Sequence, residues 1–220
     1  MILVLDLDDT LYSEWTFVES GMRCVATLLN NETGKPYEEI YSMLIDELMA
    51  SGRGNVFDAI LKRINAYSKE AVDSCLASYR SHSPDIKLFN GAMDTMERHS
   101  GVPIYLVTDG LPAVQTNKIA ALGIERYFKK IFTTWSFGDS AAKPSLHCFN
   151  MISKLENMPI QKIIYVGDDP SKDFVSLNEI GATTVRVRTG RFKDVSVPSD
   201  YDAQIQIGSI SDLDCSNLSN

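Results

Sequence analysis

Residues 1–10 read MILVLDLDDT, an apolar run from Met1 to Leu7 broken only by Asp6 and closed by Asp8, Asp9 and Thr10. A short, continuous apolar run with polar residues at its end is the pattern of a strand buried on both faces of a parallel sheet. Three later runs share its character: IYLVT at 104–108, IIYVG at 163–167 and TTVRV at 183–187, with a shorter one around Ile131 and Phe132. The intervals between the longer runs leave room for crossover helices. Pro112 opens one such helix, which runs to Leu122 and stops at Gly123. Another is expected from a cap at Asp169 or Ser171 through Val175 and Leu177 to Gly181. This alternation predicts an α/β fold with a doubly wound parallel sheet. In such a sheet the ligand edge lies at the carboxyl ends of the strands, where Asp6, Thr108 and Asp168 fall.

Residues 14–87 break the alternation. VESGMRCVATLL, PYEEIYSMLIDELMA, VFDAILKRI and KEAVDSCLASY carry apolar residues at helical spacing, with Gly52-Arg53-Gly54-Asn55 between the second and third. An inserted helical domain is expected there, leaving residues 1–13 and 88–220 as the core domain. The closing stretch SDLDCSNLSN reads as a fraying end.

Composition narrows the possible partners. Of 220 residues, 44% are hydrophobic and 23% charged, which suits a globular protein and argues against disorder. The formal net charge of −8 offers no global positive field for a nucleic-acid polymer or an anionic membrane surface. No run approaches the roughly 20 apolar residues that span a bilayer, and the chain is expected to begin directly in structure. Cys24, Cys75, Cys148 and Cys215 are widely spaced, with no metal-knuckle pattern, which fits buried thiols in a reducing, cytoplasmic setting. His82, His99 and His147 have no spacing that suggests a triad or a metal site.

Asp6-Leu7-Asp8-Asp9-Thr10 is the segment richest in chemistry. Paired carboxylates at a strand end repel one another unless a cation or a shared proton intervenes. Mg²⁺ suits them because it takes oxygen ligands and keeps positions open for water and phosphate. The alternative, an ordinary turn with capping side chains, loses weight because three further polar segments occupy comparable places. Thr108-Asp109-Gly110 and Gly167-Asp168-Asp169-Pro170-Ser171-Lys172-Asp173 follow strands directly, and Lys143-Pro144 follows the short one.

The order and spacing of these segments resemble the haloacid dehalogenase-like (HAD) hydrolase superfamily over nearly the whole chain. VLDLDDT looks like its first motif, LVTDG its second, AAKPS its third and YVGDDPSKD its fourth. The resemblance implies a Rossmann-like core with a helical cap of the C1 type inserted between the first two motifs. It further implies Asp6 as nucleophile, Asp8 as general acid and base, and Lys143 as the cation that offsets charge repulsion during phosphoryl transfer. Thr108 would hold phosphoryl oxygens, although a helix cap is its other reading, and Gly110 and Asp109 would line the substrate site. Asp109 stands where relatives often have Asn, so no chemistry is assigned to it. Mg²⁺ would be held by Asp6, Asp168 and the Asp8 backbone carbonyl, with Asp173 acting through water or Lys143. Asp169 is open between a metal role and a helix cap. Arg53 could reach a substrate from its loop, a plain helix connection being the alternative, and Tyr12 and Trp15 are expected to pack.

The implied activity is Mg²⁺-dependent phosphatase action on a small phosphorylated metabolite, a sugar phosphate or nucleoside monophosphate, through an aspartyl-phosphate. A phosphomutase of the same family is the alternative. Haloacid dehalogenation fits less well because Asp8 is present, and a non-catalytic regulatory protein fits less well because every motif residue is present.

Overall fold

The computed structural model describes residues 1–216 and residue 218. The chain divides into two compact units, Met1–Glu14 with Ile86–Asn220, and Trp15–Asp85. The first is built on a six-stranded sheet of β1 (Ile2–Leu5), β2 (Ile104–Thr108), β3 (Lys130–Thr133), β4 (Ile163–Gly167), β5 (Thr183–Val187) and β6 (Ile205–Ile207). Their order is β3-β2-β1-β4-β5-β6, and every neighbouring pair is parallel. The apolar runs occupy the interior: all residues of β1, β2 and β4 are buried. Helices α5 (Ala92–Arg98), α6 (Pro112–Leu122), α7 (His147–Glu156) and α8 (Val175–Glu179) belong to the same unit.

β1 decides where the site lies. Leu5 is in register with Leu106 of β2 on one side and Val166 of β4 on the other. The strand order therefore reverses at β1, and the loops leaving β1, β2 and β4 diverge around one crevice, the usual ligand position in an open α/β sheet. The Asp6 amide extends the ladder by donating to Val166 O at 2.9 Å, so its side chain starts from the rigid end of a central strand.

Boundary signals hold well in some elements and fail in others. α6 starts at Pro112, and Gly123 ends it in the left-handed conformation with φ +67°. The predicted helix of residues 169–181 is only five residues long, and neither Asp169 nor Ser171 caps it, because Phe174 precedes its first residue without a side-chain cap. Asp169 instead accepts from the amide and hydroxyl of Ser171, folding a local turn. The closing stretch is also docked as far as it is described: Leu213 and Cys215 are buried, Arg98 donates to the carbonyls of Ser211 and Leu213, and Thr95 donates to Ile210 O. Residues 217, 219 and 220 lie outside the described residues.

The second unit contains α1 (Glu14–Thr33, whose first residue belongs to the first unit), α2 (Tyr37–Ser51), α3 (Val56–Arg63) and α4 (Lys69–Ser81). Its apolar faces meet in a core of its own around Val25, Leu29, Ile40, Leu44, Ile60 and Leu61. Ser68 caps α4 by accepting from the Ala71 amide at 3.0 Å.

Candidate active site

Asp6 leaves β1 almost wholly buried, at 4% exposure. Lys143, from the loop after β3, lies between it and the loop after β4: its Nζ is 3.0 Å from Asp6 Oδ1 and 2.8 Å from Asp173 Oδ1. Tyr165 of β4 accepts from Lys143 Nζ at 2.9 Å and donates to Asp173 Oδ1 at 3.2 Å. Asp173 is turned back by the Asp169 amide, which donates to its Oδ2 at 3.0 Å. That return is possible because residue 167 is glycine: a Cβ there would lie 2.4 Å from Asp173 Oδ2.

Three carboxylates, from Asp6, Asp168 and Asp173, converge with oxygens within 4.8 Å of one another. Burial, and then the neighbouring Asp173, pushes the Asp6 carboxyl up to about 7 against the opposing pull of Lys143. Burial, followed by Asp173, Asp6 and Asp9, pushes Asp168 up to about 9. Burial alone would depress the Lys143 ammonium, but Asp173 and Asp6 outweigh it and hold the group well above its usual range. One lysine thus leaves like-charge repulsion unrelieved, and the donors are hard carboxylate oxygens. Both properties fit a divalent cation such as Mg²⁺.

Asp8 does not join this cluster through its side chain. Its two oxygens lie 2.8 and 2.9 Å from Lys118 Nζ of α6. Tyr12 donates to Oδ1, and Gln115 donates to Oδ2 at 3.0 Å. Burial works to raise this carboxyl, but the Lys118 charge and the hydrogen bonds from Lys118, Tyr12 and Gln115 prevail and hold it below the usual carboxylate range. Gln115 Nε2 also donates to Thr108 Oγ1 at 2.5 Å, so the Thr108 hydroxyl is engaged from α6 and does not cap it. Gly110 has φ +129°, where side chains are strained, so the backbone rather than any clash calls for glycine at this turn.

Asp109 faces inward as an anchor. Thr134 donates to its Oδ1 at 2.7 Å, the Lys143 amide does so at 3.2 Å, and Lys172 pairs with its Oδ2 at 2.9 Å. Burial is outweighed by Lys143 and Lys172, which keep the carboxyl low. On the other flank, Asp9 takes φ +54° and receives the amides of Glu14 and Arg191, while Thr189 donates to its carbonyl. Asp6, Asp8, Asp109, Asp168, Lys172 and Arg191 line a cleft of about 100 Å³. Arg53 is exposed in its loop in the helical unit.

Lys118, Gln115, Tyr165 and Lys172 were not singled out in the sequence, and Tyr12 was expected only to pack. Gln115 and Lys118 offered no usable signal: they end the polar run Gln115-Thr116-Asn117-Lys118, which reads as a solvated stretch of helix.

The same arrangement underlies a family match. A sequence model of haloacid dehalogenase-like hydrolases fits residues 3–187. The chain belongs to this family. A glyceraldehyde 3-phosphate phosphatase of Methanocaldococcus jannaschii is similar to it, 30% identical over 210 residues that cover 90% of each chain. Another of that name, from Methanopyrus kandleri, is 27% identical over 91% of this chain and 89% of its own. Among solved structures, a HAD-superfamily hydrolase of subfamily IA from Geobacter sulfurreducens superposes with TM-score 0.69 at 15% identity, covering 96% of this chain and 92% of that one. The putative HAD-hydrolase YfnB of Bacillus subtilis, bound to magnesium, has TM-score 0.66 at 19% identity, covering 95% and 94%. At those identities the structures attest the HAD fold, with its parallel sheet and a helical region of the kind seen as a C1 cap.

Proposed function

We propose that this HAD hydrolase is a Mg²⁺-dependent phosphatase of a small phosphomonoester. The observation that carries the reading is the Lys143 ammonium held 3.0 Å from Asp6 and 2.8 Å from Asp173 inside a buried carboxylate cluster. A carboxylate attacks a phosphate dianion only where fixed positive charge offsets the repulsion, and preorganised charge does so without reorganisation during the reaction. Asp6, Asp168 and Asp173 would hold Mg²⁺, with the Asp8 carbonyl beside them. When bound, the ion supplies charge neutralisation at the phosphoryl oxygens.

In the first half-reaction an Asp6 oxygen bonds to phosphorus, the bridging ester P–O bond breaks, and Asp8, whose neighbours favour its carboxylate and which therefore first takes a proton from water, passes that proton to the leaving oxygen. In the second, water attacks the aspartyl-phosphate, its proton passes to the Asp8 carboxylate, orthophosphate leaves and Asp6 is regenerated. Thr108 and the Gly110 turn orient the phosphoryl oxygens from the end of β2, and Lys143 stays with Asp6 throughout. Asp109, already engaged by Thr134 and Lys172, supports the Lys143 loop. The helical unit, with Arg53 on one of its loops, is assigned the selection of substrate.

The relatives named for glyceraldehyde 3-phosphate make triose phosphates the first substrates to test, with larger sugar phosphates and nucleoside monophosphates as the comparison. Released phosphate is to be measured over such a panel in Mg²⁺ for the wild type and Asp6→Asn. The expected result is turnover that Asp6→Asn lowers by about 10³-fold or more. Hydrolysis by the variant near the wild-type rate would overturn the nucleophile assignment.

A further inference from the structure

Two polar side chains of α6 lie one turn apart on the face that meets the β1 and β2 loops. Gln115 is 1% exposed and Lys118 4% exposed, so both polar groups are committed to the interior. Together they make a continuous chain: Thr108 Oγ1 accepts from Gln115 Nε2, the same nitrogen lies 3.0 Å from Asp8 Oδ2, and both Asp8 oxygens lie within 2.9 Å of Lys118 Nζ. Tyr12, wholly buried, closes the fourth side on Asp8 Oδ1. The motif threonine of one loop and the motif acid of another are therefore set against each other by a third element, which bears no motif residue.

We propose that Lys118, with Gln115, is a positioning residue for Asp8: it fixes the orientation of the Asp8 carboxyl relative to Thr108, and thus to the leaving oxygen of the substrate. This rests on the phosphatase reading above. A carboxyl group on one rotatable stem can face several ways, and proton transfer requires its oxygen within hydrogen-bond reach of one particular atom. Buried bonds to both oxygens remove that freedom, and a cation buried to this degree is placed by the fold and costs stability if its partner is lost. Lys118 lies 2.8 Å from Asp8 and belongs to neither the Asp6–Lys143–Asp173 network nor the converging carboxylate triad.

The test exploits the leaving group. p-Nitrophenolate departs without a proton, whereas an alkoxide such as that of glycerol 3-phosphate needs one. Comparing kcat/KM confines the readout to steps up to P–O cleavage. For Lys118→Met, kcat/KM is expected to fall on the order of 10²-fold with the alkyl phosphate and under about threefold with p-nitrophenyl phosphate. Lys118→Arg, which keeps a cation on a long stem, should recover part of the loss. In an Asp8→Asn background, Lys118→Met should add little, because a residue acting only through Asp8 has nothing left to position. If Lys118→Met folds poorly, the same comparison of the two substrates with Lys118→Arg keeps the question open to refutation. Equal losses for the two substrates, or additive losses in the double variant, would overturn the positioning role alone. Absence of turnover of both substrates by the wild type would overturn the phosphatase reading on which it rests.

Discussion

At the scale of single residues, the site is held by close approaches that tolerate almost no added atom. Gly167 ends β4 where a methyl group would meet Asp173 Oδ2 at 2.4 Å. Gly167→Ala should therefore push Asp173 off both the Asp169 amide and Lys143. The expected outcome is at least about tenfold weaker Mg²⁺ binding by calorimetry, with a destabilisation of about 1–3 kcal/mol from overpacking. Unchanged metal affinity would show that Asp173 takes no part in the metal site. Asp6, Asp8, Lys143 and Asp168 were legible because each ends or follows a strand-like run in a fixed order. Tyr165 was not, since inside IIYVG it reads as one more core aromatic. Its hydroxyl acquires a role only because β4 neighbours β1 and the loop after β3 brings Lys143 over it.

At the scale of elements, the readable boundaries are those imposed by backbone chemistry. Pro112 and Gly123 delimit α6 because proline suits the first helical turn and glycine takes the left-handed stop without strain. The Asp169–Gly181 stretch misled because its acids are used elsewhere: Asp173 folds back to the Asp169 amide and Lys143, so α8 begins only at Val175. β6, three residues long, gives too short a run to show a period. In the helical unit, the hydroxyl of Ser68 satisfies the Ala71 amide at the start of α4. Ser68→Ala should destabilise that unit by about 1 kcal/mol in denaturant titration. A change below about 0.3 kcal/mol would mean that water serves that amide equally well.

At the scale of the whole molecule, burial of the carboxylate cluster couples folding to pH and to metal. The ordinary carboxyl value of 3.8 is raised in the fold to about 7 for Asp6 and about 9 for Asp168. A carboxyl raised on folding favours the native state most below its unfolded value, and that contribution is lost as pH rises through the folded value. In chelator, the melting temperature should therefore fall as pH rises from about 4, most steeply up to about 7 where both groups contribute, more gently to about 9 where Asp168 alone does, and level off above that. Mg²⁺ should flatten the fall and, at about pH 8, release roughly one proton per site, seen as a dependence of binding heat on buffer ionisation enthalpy. A melting temperature in chelator that rises over this range would contradict the burial argument. The formal net charge of −8 has a related meaning: part of that count belongs to a buried carboxylate cluster that could hold a cation. By itself the sequence determined the parallel α/β class, the helical insertion and the four polar segments at strand ends, because hydrophobic period and backbone punctuation are local properties. Only the tertiary structure decided which carboxylates converge, that Asp109 is an anchor, and that Asp8 is gripped from α6. Those facts depend on contacts between residues 25 to 63 positions apart at Asp109 and 107 to 110 apart at Asp8, which strand order and helix packing set.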